Sequence, residues 1–172
     1  MTGAVPAPDG ARRAPMVLAP PRWPGERENL PHWPYLQALD HALTAEGIPP
    51  GVVRISHSSH HYGARMYLSL MWDVSRTGGR GGIRLRWEEE TGWSYALTGP
   101  STSDTLEKKP AGPLHRVFAT PEDVAEMAGR MVRGWHRPSG EYHGEWEQAP
   151  AVREAIEVYR RRIYDYRAPG GS

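Results

Sequence analysis

The sequence predicts an α+β domain: a four- to five-stranded antiparallel meander with one N-terminal and two C-terminal helices packed on one face. Two changes of period carry that expectation. Apolar residues recur at steps of three and four over 34–46, alternate over 65–98, and return to helical spacing after Thr120. Helices therefore lie outside the strands in chain order and do not alternate with them, so hairpins, not crossover helices, connect the sheet.

The first helix is expected over Pro34–Glu46, where Tyr35, Leu36, Leu39, Ala42 and Leu43 form one stripe. Pro34 suits the first helical position, and Gly47 followed by Ile48 suits a left-handed cap whose Ile packs back on Leu43. Pro49 and Pro50 stop continuation. A short strand is expected over Val52–Ser56. Arg65–Asp73 then places Met66, Leu68, Leu70 and Trp72 on one face against Tyr67, Ser69 and Met71 on the other. Gly82–Glu88 turns Ile83, Leu85 and Trp87 inward with Arg84 and Arg86 outward, and Gly92–Thr98 turns Trp93, Tyr95 and Leu97 inward. The short link containing Gly92 makes these two a hairpin. A polar loop, Gly99–Pro113, leads to Leu114–Phe118 as the closing strand. Thr120 caps a helix that opens with Pro121, Glu122 and Asp123 and buries Val124, Met127, Ala128, Met131, Val132 and Trp135. After Pro150, Val152, Ile156, Tyr159, Ile163 and Tyr166 form a narrow heptad-like seam that fits one partner groove, within the chain or in a second copy.

Seven of the 17 prolines fall in the first 31 of 172 residues, so 1–31 reads as a disordered Pro-rich arm with Trp23 as its one anchor. The single domain is placed at 32–166 and a loose tail at 167–172. No signal peptide or membrane anchor is expected, because proline breaks every apolar stretch of the arm. The absence of Cys excludes disulfide scaffolds, thiol enzymes, iron–sulfur centres and thiolate zinc fingers. A formal charge of +1 gives no global preference for nucleic acid or membrane.

Local features supply the candidate sites. His57, His60 and His61, in the turn after the first strand, offer imidazoles to a borderline metal, and His115, His136 and His143 can join only if the fold brings them close. Six arginines against Asp73 give a local +5 over 54–87. Within it, Arg76 and Arg80 in a glycine-rich loop and Arg84 and Arg86 on a strand form a surface for phosphate backbones, with Tyr67 as a stacking face. Glu88, Glu89 and Glu90 read as solvating charge in a turn. The aromatics of 137–148, Trp146 among them, are read as lying back on the domain to shield its core, with a peptide-binding rim as the functional alternative; Trp146 and the seam residues Tyr159, Ile163 and Tyr166 are the candidate interface residues. No glycine pattern matches a dinucleotide or P-loop fingerprint, no nucleophile elbow is present, and no cofactor is implied.

The Tyr-Leu-x-x-Leu-x-x-Ala-Leu helix (Tyr35–Leu43), the Leu-x-Trp-x-x-x-x-Gly-Trp hairpin (Leu85–Trp93) and Thr-Pro-Glu-Asp-Val-Ala (Thr120–Ala125) resemble small actinobacterial domains of unknown function, over about Tyr35–Trp135. The resemblance implies an intracellular accessory protein and carries over no catalytic residue. The functional expectation is a non-catalytic cytoplasmic binding module that engages a protein partner or a second copy of itself through its sheet face or C-terminal helix. A nucleic-acid-associated protein and a His-dependent metalloenzyme are the alternatives.

Overall fold

The computed structural model describes residues 17–18, 27–60, 63–101 and 104–167. In chain order it comprises β1 (Val17–Leu18), α1 (Trp33–Glu46), β2 (Val52–His60), β3 (Gly63–Trp72), β4 (Ile83–Glu88), β5 (Gly92–Thr98), β6 (Thr105–Pro110), α2 (Pro121–Gly134) and α3 (Ala149–Arg167). The fold is α+β, as the change of period requires. Strands β2 to β6 form a five-stranded antiparallel meander in sequence order, and β1 adds a two-residue parallel edge against Val52 and Val53. Of the segment read as an arm, Val17–Leu18 and 27–31 are described, with Leu30 buried in the core. Trp23 and the chain beyond Arg167 lie outside the described residues.

The alternating strands place their inward residues as the pleat dictates. Met66, Leu68, Leu70 and Trp72 of β3, Ile83, Leu85 and Trp87 of β4, and Trp93, Tyr95 and Leu97 of β5 all join one core with the helical stripes. Tyr35 of α1 is its hub. The ring lies 5.5 Å from Trp87, 5.2 Å from Phe118 and 5.0 Å from Trp146, while its hydroxyl donates to the Ala119 carbonyl at 2.7 Å and accepts from Trp93 Nε1 at 3.3 Å. Every buried indole so placed needs a partner for its N–H. Trp72 donates to the Ile48 carbonyl and Trp87 to that of Val117.

Helix α1 ends as the glycine predicts. Gly47 takes φ +86°, and the Ile48 and Gly47 amides bond back to the Leu43 and Thr44 carbonyls, the paired bonds of a Schellman cap. Arg133 of α2 clasps the same end through the Glu46 carboxylate and carbonyl, tying α1 to α2. Thr120 caps α2 by accepting from the Asp123 amide at 3.2 Å. Thr120→Ala is expected to lower stability by about 1 kcal/mol, read as a shift of the urea midpoint with unchanged slope.

Three expectations are corrected. Strand β2 does not end at Ser56 but runs to His60, because β3 pairs it residue for residue from Val52↔Met71 to His60↔Gly63. The closing strand is not Leu114–Phe118. Only single bridges form there, Leu114 with Tyr142 and Ala119 with Glu145, and the sheet is completed instead by β6, inside the segment read as a polar loop. Strand β6 lacks an apolar face. Its inward Glu107 is held by the Tyr95 hydroxyl at 2.8 Å, Lys109 at 3.0 Å and Arg137 at 2.8 Å. These contacts, that of Tyr95 foremost, depress the Glu107 carboxyl to about 2. Finally, Trp146, named as an interface candidate, is buried beside Tyr35 as part of the core.

Candidate binding face

With the helices joined to the inward set, the opposite face of the sheet is left without a helical cover among the described residues. Strand register builds it row by row. One row runs Val52, Met71, Arg84, Ala96, Lys108, and the next runs Arg54, Ser69, Arg86, Ser94, Pro110. Ser69 and Ala96 are buried at the centre of these rows, between the longer side chains of their neighbours. At one end of the first row a groove of about 460 Å³ is lined by Val52, Met71, Arg84, Thr98, Val74 and the Gly99–Ser101 loop. Asp73 stands at its edge. Its carboxylate accepts from the Ser75 hydroxyl at 2.5 Å, which with the Arg76 and Ser75 amides holds it below the ordinary aspartate value, against a smaller opposing effect of burial.

The predicted basic residues separate on this geometry. Arg84 lies on the open face, and Arg54 and Lys108 join it there. Among the described residues none of these three has a carboxylate partner. Arg86 pairs with Glu88 at 2.7 Å and lays its guanidinium over Tyr67, 4.1 Å from the ring centroid. The Tyr67 ring therefore already carries a cation on one side. Arg76 and Arg80 do not extend from a free loop: Arg76 donates to the Pro49 carbonyl and Arg80 to the Gly134 carbonyl at the end of α2. The acids just beyond the basic stretch are also engaged. Glu90 pairs with Arg65 at 3.3 Å, while Glu89 accepts from the Met66 amide and pairs with Arg160 of α3. Of the three glutamates read as solvating charge, Glu89 and Glu90 thus fasten the turn to β3, and Glu89 also to α3, while Glu88 stays with Arg86 of its own strand. Lys108 escaped the sequence reading because β6 did; its signal was the alternation of Leu106 and Lys108 against Glu107 and Lys109.

The other candidates lie elsewhere. His57 faces inward from β2 with its ring 5.8 Å from Tyr159, edge to face. The His60 side chain, His61 and the Tyr166 side chain lie outside the described residues. Tyr159 and Ile163 are partly buried against the chain's own core. His136 bonds the Arg137 carbonyl, whereas His115 and His143 stack on one another beside Glu141.

Residues 35–130, more than half of the chain, match DUF6292, a family of unknown function. The chain belongs to the DUF6292 family. The match covers most of α1, the sheet from β2 to β6 and most of α2, so the open face with Arg54, Arg84 and Lys108 lies within the DUF6292 region, while α3 lies outside it. No curated protein and no solved structure showed significant similarity to this DUF6292 chain. Among the described residues no helix is long and apolar enough to cross a membrane.

Proposed function

We propose that this DUF6292 chain is a non-catalytic, cytoplasmic binding module whose open sheet face receives an acidic segment of a partner protein. The observation that carries the reading is the row Val52, Met71, Arg84, Ala96, Lys108. It combines an apolar floor with cations that have no carboxylate partner among the described residues, and it ends in a groove. Unpaired cations around apolar ground favour a ligand that alternates carboxylates with apolar side chains. Nucleic acid fits the same face less well. The Arg86 guanidinium already occupies one side of the Tyr67 ring, Glu88 adds negative charge beside it, and Arg76 and Arg80 are folded onto carbonyls. The proposed domain spans 32–166.

Fluorescence anisotropy tests the reading with a labelled peptide that interleaves Glu with Leu and Tyr, run beside a single-stranded oligonucleotide of equal charge. Saturable binding of the peptide is expected, weakened at least about tenfold per site by Arg84→Glu or Arg54→Glu. Absence of peptide binding, or binding indifferent to both reversals, overturns the proposal. So does tighter, steeply salt-dependent binding of the oligonucleotide, which assigns the face to nucleic acid.

A further inference from the structure

The segment leading into α3 is laid along the segment leading into α2 by the chain's own backbone. The Tyr142 amide donates to Pro113 at 2.9 Å, His115 to Tyr142 at 3.1 Å, Thr120 to Gly144 at 3.2 Å and Trp146 to Phe118 at 2.8 Å. Leu114 and Tyr142, joined by a parallel bridge, both point into the core. In extended backbone the neighbours of an inward residue point outward. The bridge therefore brings His115 from one segment against Glu141 and His143 from the other, all three exposed.

Their geometry is convergent. His115 Nε2 lies 2.6 Å from Glu141 Oε2, His143 Nε2 lies 3.5 Å from the same oxygen, and one donor atom of each of the three side chains lies within 4.8 Å of the others. The imidazoles are stacked, 4.3 Å between centroids at 7°, and each brings its Nε2 to the same carboxylate oxygen. An ion bound at about 2.0–2.2 Å sets its nitrogen and oxygen donors about 3–3.5 Å apart, and the three exposed side chains are free to adjust to that spacing. Arg116 donates to the His143 carbonyl at 3.4 Å and fixes the backbone from the other side.

We propose that His115, Glu141 and His143 form a site for a divalent transition metal ion of the zinc class. Two imidazoles and one carboxylate suit a borderline cation and disfavour magnesium and calcium, which take oxygen donors. Three protein donors on an exposed ridge leave the remaining positions to water or to a donor from a partner. Because the backbone bonds already hold the segments together, the ion orders only three side chains. The site is independent of the sheet face and of the His57 region.

Isothermal titration of the full chain, freed of any tag and stripped of metal by chelation, tests the proposal with zinc sulfate as the probe and magnesium chloride beside it. One zinc per chain and no magnesium response are expected, with zinc shifting the ring proton resonances of His115 and His143. His143→Ala and the isosteric Glu141→Gln should each weaken zinc binding at least about tenfold while leaving far-ultraviolet circular dichroism unchanged. A double variant, His60→Ala with His61→Ala, should bind as the parent does. Failure to bind zinc saturably at one per chain overturns the proposal. Binding that survives His143→Ala and Glu141→Gln, or that disappears with His60 and His61, does the same.

Discussion

Tyr35→Ala is expected to remove most of the stability of the domain. The side chain is wholly buried at the meeting point of Trp87, Trp93, Phe118 and Trp146, so truncation leaves an aromatic-sized cavity bordered by β4, β5 and the segments that carry Phe118 and Trp146. Such cavities cost about 3–5 kcal/mol. Loss of the hydroxyl strands the buried Ala119 carbonyl and the Trp93 N–H, adding roughly 1–3 kcal/mol. The sum is comparable to the whole stability of an ordinary domain, about 5–15 kcal/mol. In urea denaturation followed by tryptophan fluorescence the variant should show a large fall in midpoint, or no folded baseline at all. Tyr35→Phe keeps the ring and should lose only the hydroxyl contribution. A Tyr35→Ala midpoint close to the parent's would mean that this cluster is not the centre of the core.

The second large effect is a dependence on pH. His32 precedes α1 with its ring fully buried, stacked on Trp87 at 5.8 Å and bonded through Nε2 to the Tyr67 carbonyl at 2.9 Å. Burial, aided by the nearby His57, pushes its pKa down from 6.5 to about 4, against the Tyr67 and Ser56 carbonyls, which favour the proton. The folded value lies below the unfolded one, so in the interval between them the unfolded chain binds the extra proton. Stability from this group is complete above pH 6.5 and is lost as pH falls towards 4. At 1.36 kcal/mol per pH unit, that window corresponds to roughly 3 kcal/mol. Carboxylates titrate in the same range, so the informative quantity is the difference from His32→Gln, which keeps a donor for Tyr67 and cannot titrate there. The gap in unfolding free energy between parent and variant should shrink by about 3 kcal/mol from pH 7 to pH 4. Parallel profiles would show that His32 is not buried in its neutral form.

Most of the architecture was legible because one physical signal, the period of the apolar residues, is local in the chain. Met66 to Trp72, Ile83 to Trp87 and Trp93 to Leu97 announce both strand and inward face, and Gly47 announces where α1 stops. What the pattern missed was held together by contacts distant in sequence. Strand β6 persists through the ladder to β5 and through Glu107, whose partner Arg137 is 30 residues away. Trp146 belongs to the core because backbone bonds lay its segment on Phe118. The candidate surfaces divide in the same way. The outward placement of Arg84 and Arg86 follows from alternation, but the pairing of Arg86 with Glu88 and the folding back of Arg76 and Arg80 depend on three-dimensional neighbours. Likewise His115 and Glu141 are 26 residues apart, and only the bridge at Leu114 brings them together.

That backbone zipper has a further consequence for a chain without Cys. By joining 113–118 to 142–146 it closes a ring of chain with the whole of α2 inside it. A secreted domain of this size would close such a ring with a sulfur–sulfur bond and restrict the unfolded chain. Here the closure is reversible and exists only in the folded state. It leaves the unfolded ensemble untouched and ties the segment that enters α2 to the segment that enters α3, so that in the folded state the chain on either side of α2 is held together.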